Sequence, residues 1–177
     1  MKTAVRLGIG LLTLALLVPG PGWAKKNKGK GGPPPPPPTI TADQAKAAVS
    51  AAVSKLTPGT PYSKRGRHGD VKLEVPLLLE GKIVAKLRLN PTTGEILVKG
   101  QKALTQQLSV TPEQAAKAVQ GMVPELTVGA AWLGKKGEWK VPLLYKGAVV
   151  AVMGVHGQNG SILPDWKASR DATMSGK

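Results

Sequence analysis

The chain has 177 residues, no cysteine, no phenylalanine, and 25 Lys and Arg against 10 Asp and Glu, a formal net charge of +15. Without cysteine it has no disulfide, no thiolate metal site and no thiol nucleophile. Four Trp and two Tyr are its only aromatics, so its core is expected to be aliphatic, and its basic balance suits anionic lipid, cell-wall polymer or acidic partners.

Residues 1–24 read as an export signal. Lys2 and Arg6 precede an apolar run from Leu7 to Val18, Pro19-Gly20 breaks it, and Gly22-Trp23-Ala24 places small residues for cleavage after Ala24. The run is shorter than the roughly 20 residues a membrane-crossing helix needs. The expected location is therefore periplasmic or secreted, with an uncleaved membrane anchor as the alternative, and nucleic acid is not an expected partner. Residues 25–38 follow as a linker. Its Lys- and Gly-rich first part is expected to be flexible, and the prolines at 33–38 are expected to form a polyproline II spacer of roughly 20 Å at about 3.1 Å per residue.

The remainder repeats itself. Ile40-Thr-Ala-Asp-Gln-Ala45 returns as Val110-Thr-Pro-Glu-Gln-Ala115, VPLLLEGKIV (75–84) as VPLLYKGAVV (141–150), and TGEIL (93–97) as NGSIL (159–163). Matched blocks in one order define two tandem modules, 39–102 and 108–165, with a tail at 166–177. In the first, Thr41 and Gln44 make a capping box ahead of a stripe of Ala45, Ala48, Val49, Ala52, Val53 and Leu56, and Pro58-Gly59 ends the helix. Strands are predicted from Val71 to Leu79 and from Ile83 to Leu89 about a turn at Glu80-Gly81. A turn at Asn90–Gly94 leads to a third strand, 95–99.

In the second module Thr111 and Gln114 repeat the box, with Pro112 at the first helical position and Pro124 as the stop. Strands follow at 127–133, 138–146, 148–156 and 161–163. The expected fold class is α+β: two modules, each one helix packed on an antiparallel meander of three to four strands. A module of about 60 residues buries only a marginal core, so the two are expected to share an interface.

A capped helix opening Ile/Val-Thr-x-x-Gln-Ala, then a hairpin, then a turn ending Thr-Gly-Glu-Ile-Leu resembles the PepSY module, in both halves. The family's Asp at the start of that turn is Asn90 in one copy and His156 in the other. The resemblance implies an exported, non-catalytic module of the kind found in the propeptides of thermolysin-like peptidases and in stand-alone envelope proteins, binding or restraining a peptidase. With no peptidase attached, that role would be exercised in trans.

The residues themselves do not point to an enzyme. His68 and His156 read as turn residues, the carboxylates are scattered, no Gly-rich segment lies at a strand–helix junction, and no cofactor is expected. Three binding features remain. Lys64, Arg65, Arg67 and His68, matched by Lys135 and Lys136 before the same strand of module two, are a candidate anion site or simply solvated hairpin turns. Away from the helix, module one alternates Lys72, Glu74, Lys82, Lys86 and Arg88, a face expected to meet water. Module two presents Ala148, Val150, Val152 and Gly154 there. That apolar face needs a cover: the tail with Trp166, the other module, or a partner protein. Pro76 and Pro142 mark a strand that is an edge or bulged, and an edge would accept an added peptide strand. The leading expectation is a non-catalytic envelope binding module, and the rival is an electrostatic binder of anionic polymer or lipid.

Overall fold

The structure, a computed structural model, describes residues 35–175. The expected export signal and the linker up to Pro34 lie outside them. Helix α1 (Ala42–Val53) begins with the capping box its sequence predicts: the Gln44 N–H donates to Thr41 Oγ1 (3.2 Å) and the Thr41 N–H to Gln44 Oε1 (2.8 Å). Helix α2 (Pro112–Met122) repeats it with Thr111 and Gln114 and ends in a 3₁₀ turn, Val123–Glu125, around Pro124. Helices this short are marginal alone, so their stability has to come from the stripes they bury.

Two antiparallel sheets form the rest. The first holds β1 (Thr57–Pro58), β2 (Tyr62–Arg65), β3 (Val71–Leu79) and β4 (Lys82–Leu89). Strand β3 is central, with β4 on one side and β1 and then β2 along the other. The second repeats the pattern with β5 (Thr127–Val128), β6 (Trp132–Leu133), β7 (Trp139–Tyr145) and β8 (Ala148–Val155), and adds β9 (Ile162–Leu163) beside β8. Both hairpins turn through two left-handed residues, Glu80-Gly81 (φ 50° and 77°) and Lys146-Gly147 (φ 49° and 77°). This geometry matches strand twist and favours Gly at its second position.

Several expectations change. The strand expected at 95–99 is a single bridge, Leu89 to Ile96, and the one expected at 127–133 breaks at Gly129 into β5 and β6. The tail is a helix, α3 (Trp166–Ser175), capped where the Ala168 N–H donates to Asp165 Oδ1 (2.9 Å).

Pro76 and Pro142 are not at sheet edges, because β3 and β7 are paired on both sides. Each proline faces the gap between two short strands, and its carbonyl accepts from the glycine there: Gly59 N–H to Pro76 O (2.8 Å) and Gly129 N–H to Pro142 O (3.0 Å). Proline lacks the N–H that would complete either pair, so each contact keeps one of its two ladder bonds, at the point where β1 and β5 end. A bulge follows one residue later, between Leu77 and Leu78 and between Leu143 and Leu144.

The helices are exchanged between the copies. Helix α1 lies against β5, β7 and β8 of the second sheet, while α2 lies against β1 and β3 of the first. The expected packing of each helix on its own meander is therefore replaced by packing on the other's. The repeat is nonetheless obeyed, because the cross-connections come in matched pairs. The Ile40 N–H donates to Gly157 O (3.1 Å) and the Val110 N–H to Pro91 O (3.1 Å). The Lys99 N–H donates to Val149 O (2.7 Å) and the Asp165 N–H to Ile83 O (2.8 Å). Strands β4 and β8 run beside each other, and Ala45, Val49, Ala115, Val119, Val75, Leu87, Val141 and Met153 belong to one continuous core.

Candidate functional site

The outer faces of the two sheets, those turned away from the core, differ most. Register aligns Tyr62, Glu74, Lys86 and Arg88 of the first sheet with Trp132, Lys140, Val152 and Gly154 of the second. The charged face, expected to meet water, is instead covered by α3, which lies against β2 and β4.

Glu74 is fully buried there. Its Oε2 meets Lys86 Nζ (2.6 Å), Lys64 Nζ (3.0 Å) and the Tyr62 hydroxyl (2.9 Å), and its Oε1 meets Arg88 Nε (3.3 Å). Asp171 of α3 completes the network, with Oδ2 at 2.7 Å from Lys64 Nζ and 3.1 Å from Lys86 Nζ. Burial alone would raise the Glu74 pKa, but hydrogen bonds from Lys86 and Lys64 outweigh it and hold the carboxyl below its ordinary value. The Lys64 hydrogen bond is the largest influence on Asp171, whose pKa falls to about 2. Tyr62 is pushed upward, first by burial and then by the Glu74 charge, so it remains a hydroxyl donor. Lys64 is thus removed from the anion site proposed for it, being committed to two carboxylates.

The other basic candidates lie on hairpin turns. Arg65, Arg67 and His68 are exposed at the β2–β3 turn, and Lys135 and Lys136 are exposed at the β6–β7 turn of the other sheet. Arg67 and His68 share a cleft of about 350 Å³ with Asp70, Lys72, Lys102 and Thr105, and Arg65 is not part of it. Sequence reasoning missed Lys72 and Lys102. In the sequence Lys72 is one of a row of alternating outward charges and Lys102 the end of the first module, so neither is marked as part of a cleft.

Over the second sheet lies a larger groove, about 710 Å³. Its floor is Val152, Gly154 and Leu163; Trp132 and Trp166 line it, and Pro36 and Val84 close parts of the rim. Trp132 is 47% and Trp166 77% exposed, unusual for side chains this large. Val150, expected on this surface, is buried. Trp166 lines the groove, but the tail, a candidate cover for the apolar face, lies instead against β2 and β4 on the charged face of the first sheet.

Lys99, Lys136 and Lys140 ring the groove with Glu138 and Asp165. Glu138 pairs with Lys140 (3.1 Å) and Asp165 caps α3, whereas among the described residues no carboxylate pairs with Lys99 or Lys136. The end of the polyproline run is fixed beside it: Gln158 Nε2 donates to Pro37 O (2.6 Å), and the Thr39 N–H to Gly157 O (2.8 Å). Among the described residues no three His, Asp or Glu side chains gather as a metal site, and no helix is long and apolar enough to cross a membrane. No family model, curated protein or solved structure matches the chain.

Proposed function

We propose that the chain is an exported, non-catalytic binding protein built from two PepSY-like modules, the helix of each serving the sheet of the other. Its binding surface is the groove over the second sheet, and its partner is a protein of the cell envelope or secreted fraction. The family resemblance favours a peptidase restrained in trans. The observation that carries this reading is the pair of exposed tryptophans over the apolar floor of Val152 and Gly154. Apolar area left open on so small a protein marks a contact surface, and aromatic anchors are the residues that dominate such contacts.

The test is retention of an exported peptidase on immobilised protein, with intact chain compared to Val152→Asp and Trp132→Ala. Both residues are partly exposed, so both variants should fold. The expected result is retention that survives high salt and is lost in both variants. Equal retention by all three proteins rules the groove out.

The cleft of Arg67, His68, Lys72 and Lys102 supports a second reading, a binder of anionic polymer or lipid surface. Exposed charges act through a screened field, so that binding should collapse as salt rises. It should vanish in Arg67→Ala/Lys102→Ala and be indifferent to Val152→Asp.

A further inference from the structure

The internal repeat specifies what shape fits the groove, and this inference rests on the reading just given. On the first sheet the outer face bearing Glu74, Lys86 and Arg88 is covered by α3, the segment that follows the last strand of the second half. The repeat assigns the matching position on the second sheet to the segment that follows the last strand of the first half. The entry is prepared, because Lys99 is bonded to Val149 as Asp165 is bonded to Ile83. There the symmetry ends. Asp165 caps a helix whose first residue is Trp166, whereas after Lys99 comes Gly100 with φ 96°, a left-handed residue that diverts the chain. The following segment runs past the first sheet instead, where Thr105 O accepts from the Val71 N–H (2.8 Å). The groove is the place of a missing α3.

The side chains beneath have changed to match. The central acid Glu74 is replaced by Lys140, Lys86 by Val152, Arg88 by Gly154 and Tyr62 by Trp132. Where the first sheet offers cations around a buried acid and receives an aspartate from its helix, the second offers an apolar strip edged with lysines. Among the described residues no carboxylate pairs with Lys99 or Lys136, and the nearby acids are already committed. We propose that this groove receives a short, acidic, amphipathic helix from a partner protein, seated on the second sheet as α3 is seated on the first. Its apolar side would lie on Val152 and Gly154 between Trp132 and Trp166, and its carboxylates would reach Lys99 and Lys136.

The probe is a hydrocarbon-stapled peptide of the length of α3, with leucines along one face and glutamates beside them. Two control peptides accompany it. One has interior prolines, which prevent a helix, and one has lysine at every glutamate. Amide resonances of Val152 and Gly154 and the indole resonance of Trp132 report binding to the whole protein. The stapled acidic peptide is expected to shift them saturably, binding about ten-fold or more tighter than either control. The shifts should disappear in Val152→Asp. If the proline peptide binds as tightly, the occupant is extended, and the helix inference falls while the groove remains a binding surface. If the lysine peptide binds as tightly, the acidic assignment falls. If no peptide moves these resonances, the helix inference falls whatever the retention experiment shows, because that experiment judges the groove by its natural partner.

Discussion

Glu74 has no exposed surface, yet four polar side chains converge on its carboxylate. A buried ion network of this kind adds little over an apolar replacement of the whole group, but removing one member strands the others. Glu74→Ala should therefore cost about 3–5 kcal/mol, read from the urea midpoint, because it leaves Lys64 and Lys86 with only Asp171 between them. A loss below about 1 kcal/mol would show the network to be solvated. The pH dependence follows from the lowered pKa values of Glu74 and Asp171. A carboxylate whose folded pKa is depressed contributes stability that is present above its unfolded value, about 4, and lost as pH falls through the folded one. Stability should hold from neutral pH to about 5 and decline toward pH 2, and Asp171→Asn should make that decline shallower. An unchanged acid limb in that variant would contradict the role given to Asp171.

At the scale of elements, proline in the middle of a three-sided strand arrangement is tolerated only because a glycine faces it. A Cβ on Gly129 would stand 2.8 Å from Pro142 Cγ, and one on Gly59 2.9 Å from Pro76 Cγ. Gly129→Ala is expected to cost about 1–3 kcal/mol, the usual penalty for overpacking. Pro142→Ala in the same chain should recover part of it, giving a coupling measurable in a double-mutant cycle. Strict additivity of the two would mean the contact is not the cause. Much at this scale was legible in the sequence. Both capping boxes, both Gly turns and the alternating strands are local patterns, and local chemistry decides them. The exchange of helices was not legible, because the Ala and Val stripes of two related copies fit either sheet, and the choice is made by chain geometry. The cover over the first sheet was missed for a different reason. Alternating Lys, Glu and Arg describe a solvated strand and a buried ion network equally well, and only Asp171, in a segment too polar to resemble a core helix, separates them. Of the residues lining the groove, Val152 and Trp166 stand out in the sequence as a candidate partner surface, and Lys136 as part of a candidate anion site. Trp132 was hidden by its place in a two-residue strand.

Exchange makes the molecule a single cooperative object. Each half contributes a helix to the other's sheet, and the closing segment of each is fixed to the other's hairpin through Lys99 and Asp165. Neither copy can lose its fold without exposing the apolar face of its neighbour, so the boundary at the linker between the repeats is not a boundary of stability. The distribution of tryptophan makes this measurable. Apart from Trp23, outside the described residues, the chain's tryptophans are Trp132, Trp139 and Trp166, all in the second half. Trp139 is itself tied to the first half by its indole N–H, which donates to Ile40 O (3.0 Å). Tryptophan fluorescence therefore reports the second half, while far-ultraviolet circular dichroism reports both. In urea the two signals are expected to trace one coincident transition, the mark of two-state unfolding. Thr41→Ala, which removes a cap worth about 1 kcal/mol, should move both curves together although it lies in the first half. If the fluorescence curve stays in place while the dichroism curve shifts, the copies unfold separately and the exchange does not couple them. Coincident movement would mean that a helix cap in one repeat holds the tryptophan-lined groove of the other.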